Sequence, residues 1–312
     1  MSLNVAGLTA YTDENAMDLI RASLFESKTI GMIQVQPGIK SAATINILSS
    51  TPTWAAGACG FTAAGSTILT QQVLTVSDIK KNESICLNTL EEYYTQKMMN
   101  PGSYNEDIPF EQMYSEELAG QTAKMLEVLT WQGNTAGAGN LVFADGLIKL
   151  IDADGAVVTG TALAMDAANI VAAVDEMVAA IPADVDEMVA AIPADVVASD
   201  NLVLFMGYAE YRIYAAALRD ANLYHYDGSE NQLGQFEQYV PGTNVKVVGV
   251  GGLNGLGRMF LAETSNLFVG TDLLNDAESF KIFYSEDNDE VRVIQKMKIG
   301  FNFAFPERIV SN

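Results

Sequence analysis

The sequence has little of what most enzymes are built on. Among 312 residues there is one histidine, His225, and there are two cysteines, Cys59 and Cys86. A single histidine excludes a histidine-based metal cluster within one chain, and a Ser-His-Asp arrangement would have to be built on it alone. It stands in Asn222-Leu223-Tyr224-His225-Tyr226-Asp227-Gly228, which reads as a loop. Two cysteines exclude a disulfide framework, and each is expected to be a small buried side chain. The first residues, MSLNVAGLTAYTDENAMD, lack the charged and apolar regions of a secretory signal, so a reducing cytoplasm is the expected setting. Basic residues are also scarce, 17 against 39 acidic ones, for a formal charge of -22. That balance argues against gripping nucleic acid, because such affinity comes from Lys and Arg displacing counterions. The Ala/Val-rich middle is interrupted by Asp175, Glu176, Asp184, Asp186 and Glu187, so no apolar run reaches the ~18 residues that span a bilayer.

Apolar residues are plentiful, at 49%, enough to bury a large core. The longest helical signal is PFEQMYSEELAGQTAKMLEVLTWQGN, residues 109–134. Phe110, Met113, Tyr114, Leu118, Met125, Val128 and Leu129 recur at steps of three, four and seven, while Glu111, Glu116, Glu117, Lys124 and Glu127 fall mostly off that stripe. Pro109 suits the first helical position and Gly133-Asn134 the stop, which gives a rod about 35 Å long.

Other elements are arranged around this rod. Thr12 caps an expected short helix over residues 13–25. Residues 34–84 read as a long two-stranded excursion, with Ile45 and Ile47 on the way out and a return strand near residues 73–79. Its middle, TPTWAAGACGFTAAGST, has only Trp54 and Phe61 as bulky anchors. An isolated two-stranded ribbon is marginal in water, so this one needs a neighbouring surface. A second helix is expected over residues 88–99. Residues 141–151 and 156–159 suggest a β-hairpin about Asp152-Ala153-Asp154-Gly155, and an Ala-rich helix from Thr161 places Ile170, Val174, Met177 and Ile181 in register. The segment VDEMVAAIPAD at residues 174–184 is repeated identically at 185–195, and Pro182 should break the helix there. Strands at 201–206, 245–250 and 259–262, a helix at 208–222 and a closing hairpin, 281–285 with 291–305, complete an α+β chain.

No catalytic, cofactor or metal constellation emerges from these residues. Gly249-Val250-Gly251-Gly252-Leu253-Asn254-Gly255 follows a strand, but the third glycine of a dinucleotide fingerprint falls on Asn254 and a strand follows where a helix is required. Asp152 and Asp154 are too few for a calcium loop, and Glu286 to Glu290 reads as a solvated turn.

In this order the elements resemble the major capsid proteins of tailed double-stranded DNA phages, the Hong Kong 97 phage-type fold. The resemblance is carried by the long helix ending in QGN, ADGLIKLID, and the final NLFVGTDL and VRVIQKMKIGFNFAFPERIV. It implies an N-terminal arm (1–35), an extended loop (36–84), and a peripheral domain (85–160) holding a spine helix (109–133). An axial domain (161–275) and return strands of the peripheral domain (276–312) follow. It also implies a structural protein, not an enzyme, whose copies form hexamers and pentamers of an icosahedral head enclosing double-stranded DNA. Trp54 and Phe61 would be buried on an adjacent subunit. Portal and a separate scaffold protein are the implied partners, with no membrane and no sequence-specific nucleic acid; the chain's start near the arm fits either a separate scaffold or a processed form. Assembly would occur in the host cytoplasm and the product would be the virion. An encapsulin-like compartment shell is the nearest alternative, and a cytoplasmic nucleotide-using enzyme the one from another class. Some members cross-link through a loop lysine, but Lys40 lies at the base of the loop with no matching motif, so that property is not carried over.

Overall fold

The computed structural model describes residues 27–54, 65–86, 110–160, 163–180, 201–221, 236–272, 279–288 and 290–312. The expected helices at 13–25 and 88–99, Cys59, Phe61, the second copy of the repeat and His225 lie outside these residues. In chain order the described elements begin with α1 (Lys28–Met32), β1 (Gln34–Gln36), β2 (Ala42–Pro52), β3 (Gly65–Thr75) and β4 (Ser77–Cys86). Next come α2 (Phe110–Gln132), α3 (Leu147–Ala153), β5 (Val158–Thr159), α4 (Ile170–Ala179), β6 (Leu202–Gly207) and α5 (Tyr208–Asp220). The rest are strands: β7 (Glu237–Tyr239), β8 (Lys246–Val250), β9 (Met259–Glu263), β10 (Leu267–Thr271), β11 (Ser279–Ser285), β12 (Glu290–Phe303) and β13 (Ile309–Ser311).

The central sheet runs β5-β13-β9-β6-β8-β7. Its inner strands are buried at every position because both faces are covered. Val203, Phe205, Val248, Val250, Phe260 and Ala262 face α2 and α3. The alternate residues, among them Leu204, Met206, Val247, Met259 and Leu261, face α4 and α5. Strands covered on both sides read as continuous apolar runs, and NLVLFM is one.

The second sheet is organised on β12. β4 pairs along one side of it, and β10 and β11 share the other. The alternation in β12, with Val291, Val293, Met297 and Ile299 buried, turns one face onto α2.

Several expectations need correcting. The 141–151 segment is not a strand: Leu147, Ile148, Leu150 and Ile151 form α3, with Leu147 and Ile151 buried at helical spacing. Its start is fixed by the Gly146 amide donating to the Gly133 carbonyl at 2.9 Å, an approach that a Cβ on either glycine would block. The helix expected from Thr161 begins only at Ile170, after Asp166 bonds the Ala168 and Asn169 amides in a turn. It stops at Ala179, ahead of Pro182, with Ile170, Val174 and Met177 buried. The return strand of the ribbon ends at Thr75, and Val76 separates it from β4, which belongs to another sheet. On α2, Met125 is 49% exposed and Glu127 is buried, the reverse of the expected stripe. Cys86 is exposed and unpaired where a buried thiol was expected.

Candidate assembly interface

Two regions of the surface stand apart. The first is the β2–β3 ribbon, eleven paired residues long, from Ala42 opposite Thr75 to Pro52 opposite Gly65. Near its root one face is buried: Ile45, Ile47 and Leu74 pack with Ile39, Val76 and Phe268. Strand alternation puts Leu48, Leu69 and Val73 on the other face, where Leu48 and Leu69 are direct cross-strand partners. They are 65%, 64% and 55% exposed, and Trp54 beyond β2 is 96% exposed. Trp54 is therefore uncovered within one copy, while Phe61 falls outside the described residues.

Nothing charged accompanies these side chains. Lys40 and Asp78 bracket residues 41–77, and between them there is no Asp, Glu, Lys, Arg or His in a chain that is 18% charged as a whole. That signal is present in the sequence as a count, and attention to its bulky anchors alone passes over it. Its physical meaning is that the ribbon itself holds no ion to desolvate and no charge to repel an acidic surface.

The second region is a groove of about 540 Å³ between α2 and β4, lined by Met125, Leu129, Phe143 and Met297 and, along β4, by the charged Lys80, Lys81 and Glu83. Phe143, like Met125, is a large apolar side chain left exposed. Polar groups of the wall are held internally: the Thr122 hydroxyl bonds the Leu118 carbonyl at 2.8 Å and lies 3.2 Å from Gln295 Oε1. Groove residues were not singled out by sequence reasoning, because Met125 counts as core in a helical stripe until the facing sheet is known.

Both regions are fixed to a rigid frame. Inside it, Glu127 is a buried carboxylate that accepts from the Ser27 hydroxyl, the Thr29 hydroxyl and, at 3.0 Å, the Thr29 amide. Trp131 Nε1 donates to the same Thr29 hydroxyl at 2.9 Å. The segment that begins at Ser27 is thereby tied to the spine helix by a satisfied polar cluster. Burial holds the Lys28 ammonium below the usual lysine range, with Glu237 opposing that shift. Burial likewise raises Tyr208, helped by the nearby Glu127 charge.

The glycine loop between β8 and β9 belongs to this frame. A Cβ on Gly252 would overlap the Glu127 carbonyl and the Trp131 indole, so the loop lies directly on α2. Amides around the loop are bonded within the chain: Glu210 accepts from Gly257 N at 3.1 Å and Gly255 N at 3.4 Å, and Asn254 Oδ1 accepts from Ala209 N at 2.9 Å. Asp152 holds Arg258 in a two-pronged pair at 2.7 Å. Among the described residues no group of three or more metal-ligating side chains occurs, and no helix is long and apolar enough to cross a membrane.

No family model and no curated protein matches the sequence. Solved structures match the fold. A chain of the satellite phage P4 procapsid, which includes the size determination (Sid) protein, is 13% identical with a TM-score of 0.59, covering 94% of this chain and 97% of its own. The virus-like particle from Pyrococcus furiosus is 10% identical with a TM-score of 0.52, covering 96% and 98%. The capsid of the Myoviridae phage XM1 is 14% identical with a TM-score of 0.53, covering 92% and 90%. At such identities the likeness is one of architecture, and it extends over nearly the whole of each chain: this protein has the phage capsid protein fold.

Proposed function

We propose that this chain is a structural subunit, not an enzyme, whose copies assemble as hexamers and pentamers into an icosahedral phage head around double-stranded DNA. The observation that carries this reading is the charge-free ribbon, which holds Leu48, Leu69, Val73 and Trp54 in solvent on a chain of net charge -22. A lone copy gains nothing from that exposure. An adjacent copy covers it: the ribbon lies in the groove beside Met125 and Phe143, and Trp54 and Phe61 are buried there. Apolar groups then meet apolar groups, and the acidic bodies stay apart. Each contact is modest, and a closed shell multiplies it. The acidic balance also keeps packaged DNA from adhering to the wall. Portal and a separate scaffold protein are the partners this reading calls for, and the virion is the destination.

Likeness to the Pyrococcus furiosus virus-like particle favours a second reading, an encapsulin-like compartment with cargo in place of a genome. Electron microscopy of the void-volume fraction from a sizing column tests the proposal. Closed shells or capsomer rings are expected, and nucleic acid or protein inside them separates the two readings. A stable monomer whose ribbon resists protease would overturn both.

A further inference from the structure

The ribbon leaves the body over a place where two strands carry no side chains. In the β10–β12 pair, Gly270 stands directly opposite Gly300. A Cβ on Gly300 would overlap the Thr75 carbonyl oxygen and lie 2.8 Å from its carbon and 3.0 Å from Val76 Cα, all of them backbone atoms of the ribbon's return to the body. A Cβ on Gly270 would instead meet methyl groups, Val76 Cγ1 at 2.9 Å and Ile39 Cδ1 and Leu74 Cδ2 at 3.0 Å. Polar bonds hold the root down on this bare patch. Asn302 Nδ2 donates to the Val73 carbonyl at 2.8 Å, and the Ile39 amide to the Thr271 carbonyl at 3.1 Å. Lys298 Nζ donates to the Lys40 carbonyl at 2.8 Å and lies 3.7 Å from the buried Asp272 carboxylate and 3.8 Å from that of Asp78.

We infer that the Gly270–Gly300 pair is the seat that sets the angle at which the ribbon leaves the body, with Gly300 as the positioning residue, and that this angle sets the curvature at which copies meet. The second half rests on the reading that the ribbon docks on a neighbour. Geometry supplies the leverage. Eleven-residue strands extend about 37 Å at ~3.4 Å per residue, so a small lift at the root becomes a large displacement at Trp54. A backbone carbonyl cannot swing aside as a methyl group can, so the two glycines differ in consequence.

The experiment uses the full chain with Cys59 and Cys86 replaced by serine and spin labels on Leu48→Cys and Met125→Cys, two exposed positions on ribbon and body. Labels there also keep unassembled copies from docking. Over the lever of about 20 Å from the root to Leu48, Gly300→Ala is expected to shift the label separation by more than about 3 Å and, in the unlabelled chain, to change the diameter of the particles. Gly270→Ala should leave both at wild-type values. A folded Gly300→Ala chain with wild-type separation overturns the inference. A shifted separation with unchanged diameter overturns the curvature half. Should Gly300→Ala fail to fold, the double substitution Lys298→Met and Asn302→Ala decides: a broadened distance distribution supports the seat, and an unchanged one overturns it. A wild-type chain that stays a stable monomer with a protease-resistant ribbon, while Gly300→Ala still shifts the separation, removes the shell reading and leaves the seat standing.

Discussion

The two tryptophans of this chain sit at opposite extremes: Trp131 is fully buried and Trp54 is 96% exposed. Trp131 is wedged between Phe205 and Phe260, at ring separations of 5.3 and 5.4 Å, and spends its indole N–H on Thr29. Every part of it is answered from within the chain, including residues about a hundred positions away. Among the described residues, nothing covers Trp54. The contrast extends to charge: the body pairs its ions, as in Arg258 with Asp152 and Lys246 with Glu237, whereas residues 41–77 have none to pair. One region is satisfied within the single copy, and the other leaves large apolar side chains in solvent.

Substitutions can break that comparison. Trp131→Ala has the largest expected effect, a loss of about 3–5 kcal/mol of stability from the emptied site, read as a fall in the chemical denaturation midpoint. An unchanged midpoint would show that the spine core is not centred on this ring. Trp54→Ala should leave the unfolding of the single chain within about 0.5 kcal/mol, and Trp54→Ala with Phe61→Ala should abolish particles on the sizing column; normal yields of particles would sever the ribbon from assembly. The smallest effect belongs to Asp145. Burial alone would raise its carboxyl, but the Lys149 ammonium at 2.6 Å and the Thr135 amide and hydroxyl at 2.8 Å outweigh that and bring it below the usual 3.8. A carboxyl lowered by folding stabilises above its unfolded value and loses that contribution as pH falls through the folded one. Asp145→Asn should therefore flatten stability below about pH 4 and cost less than ~1 kcal/mol at neutral pH, since the pair is screened by solvent. A steeper acid limb in the variant would contradict this assignment.

Much of the frame is readable in the sequence, and what escapes has a common cause. The spine helix, β6, α5 and the closing hairpin lie within a few residues of expectation, because each has a long period and local stop signals. Residues 147–153 mislead because Leu-Ile-Lys-Leu-Ile satisfies a strand as readily as a helix, and the choice is made by Gly133 and Gly146. Glu127 looks like a solvent-facing charge until Ser27 and Thr29 arrive from 100 and 98 residues away. β4 cannot be separated from the ribbon without knowing that its partner is β12. Of the candidate interface, the uncharged ribbon with Trp54 is readable in the sequence, but the groove at Met125 and Phe143 is not, since it is made by elements whose meeting no local pattern records.

β12 carries one more consequence, in the order of synthesis. The seat of the ribbon is built from residues 268 to 304, and the partner of β4 from residues 290 to 299. Residues 41–77 leave the ribosome with more than two hundred residues still to be added. Until β12 follows, the ribbon has no root to stand on and no defined direction in which to reach. A strand made this late thus acts as a timer: the ribbon gains a fixed direction only when the body that carries it is nearly finished.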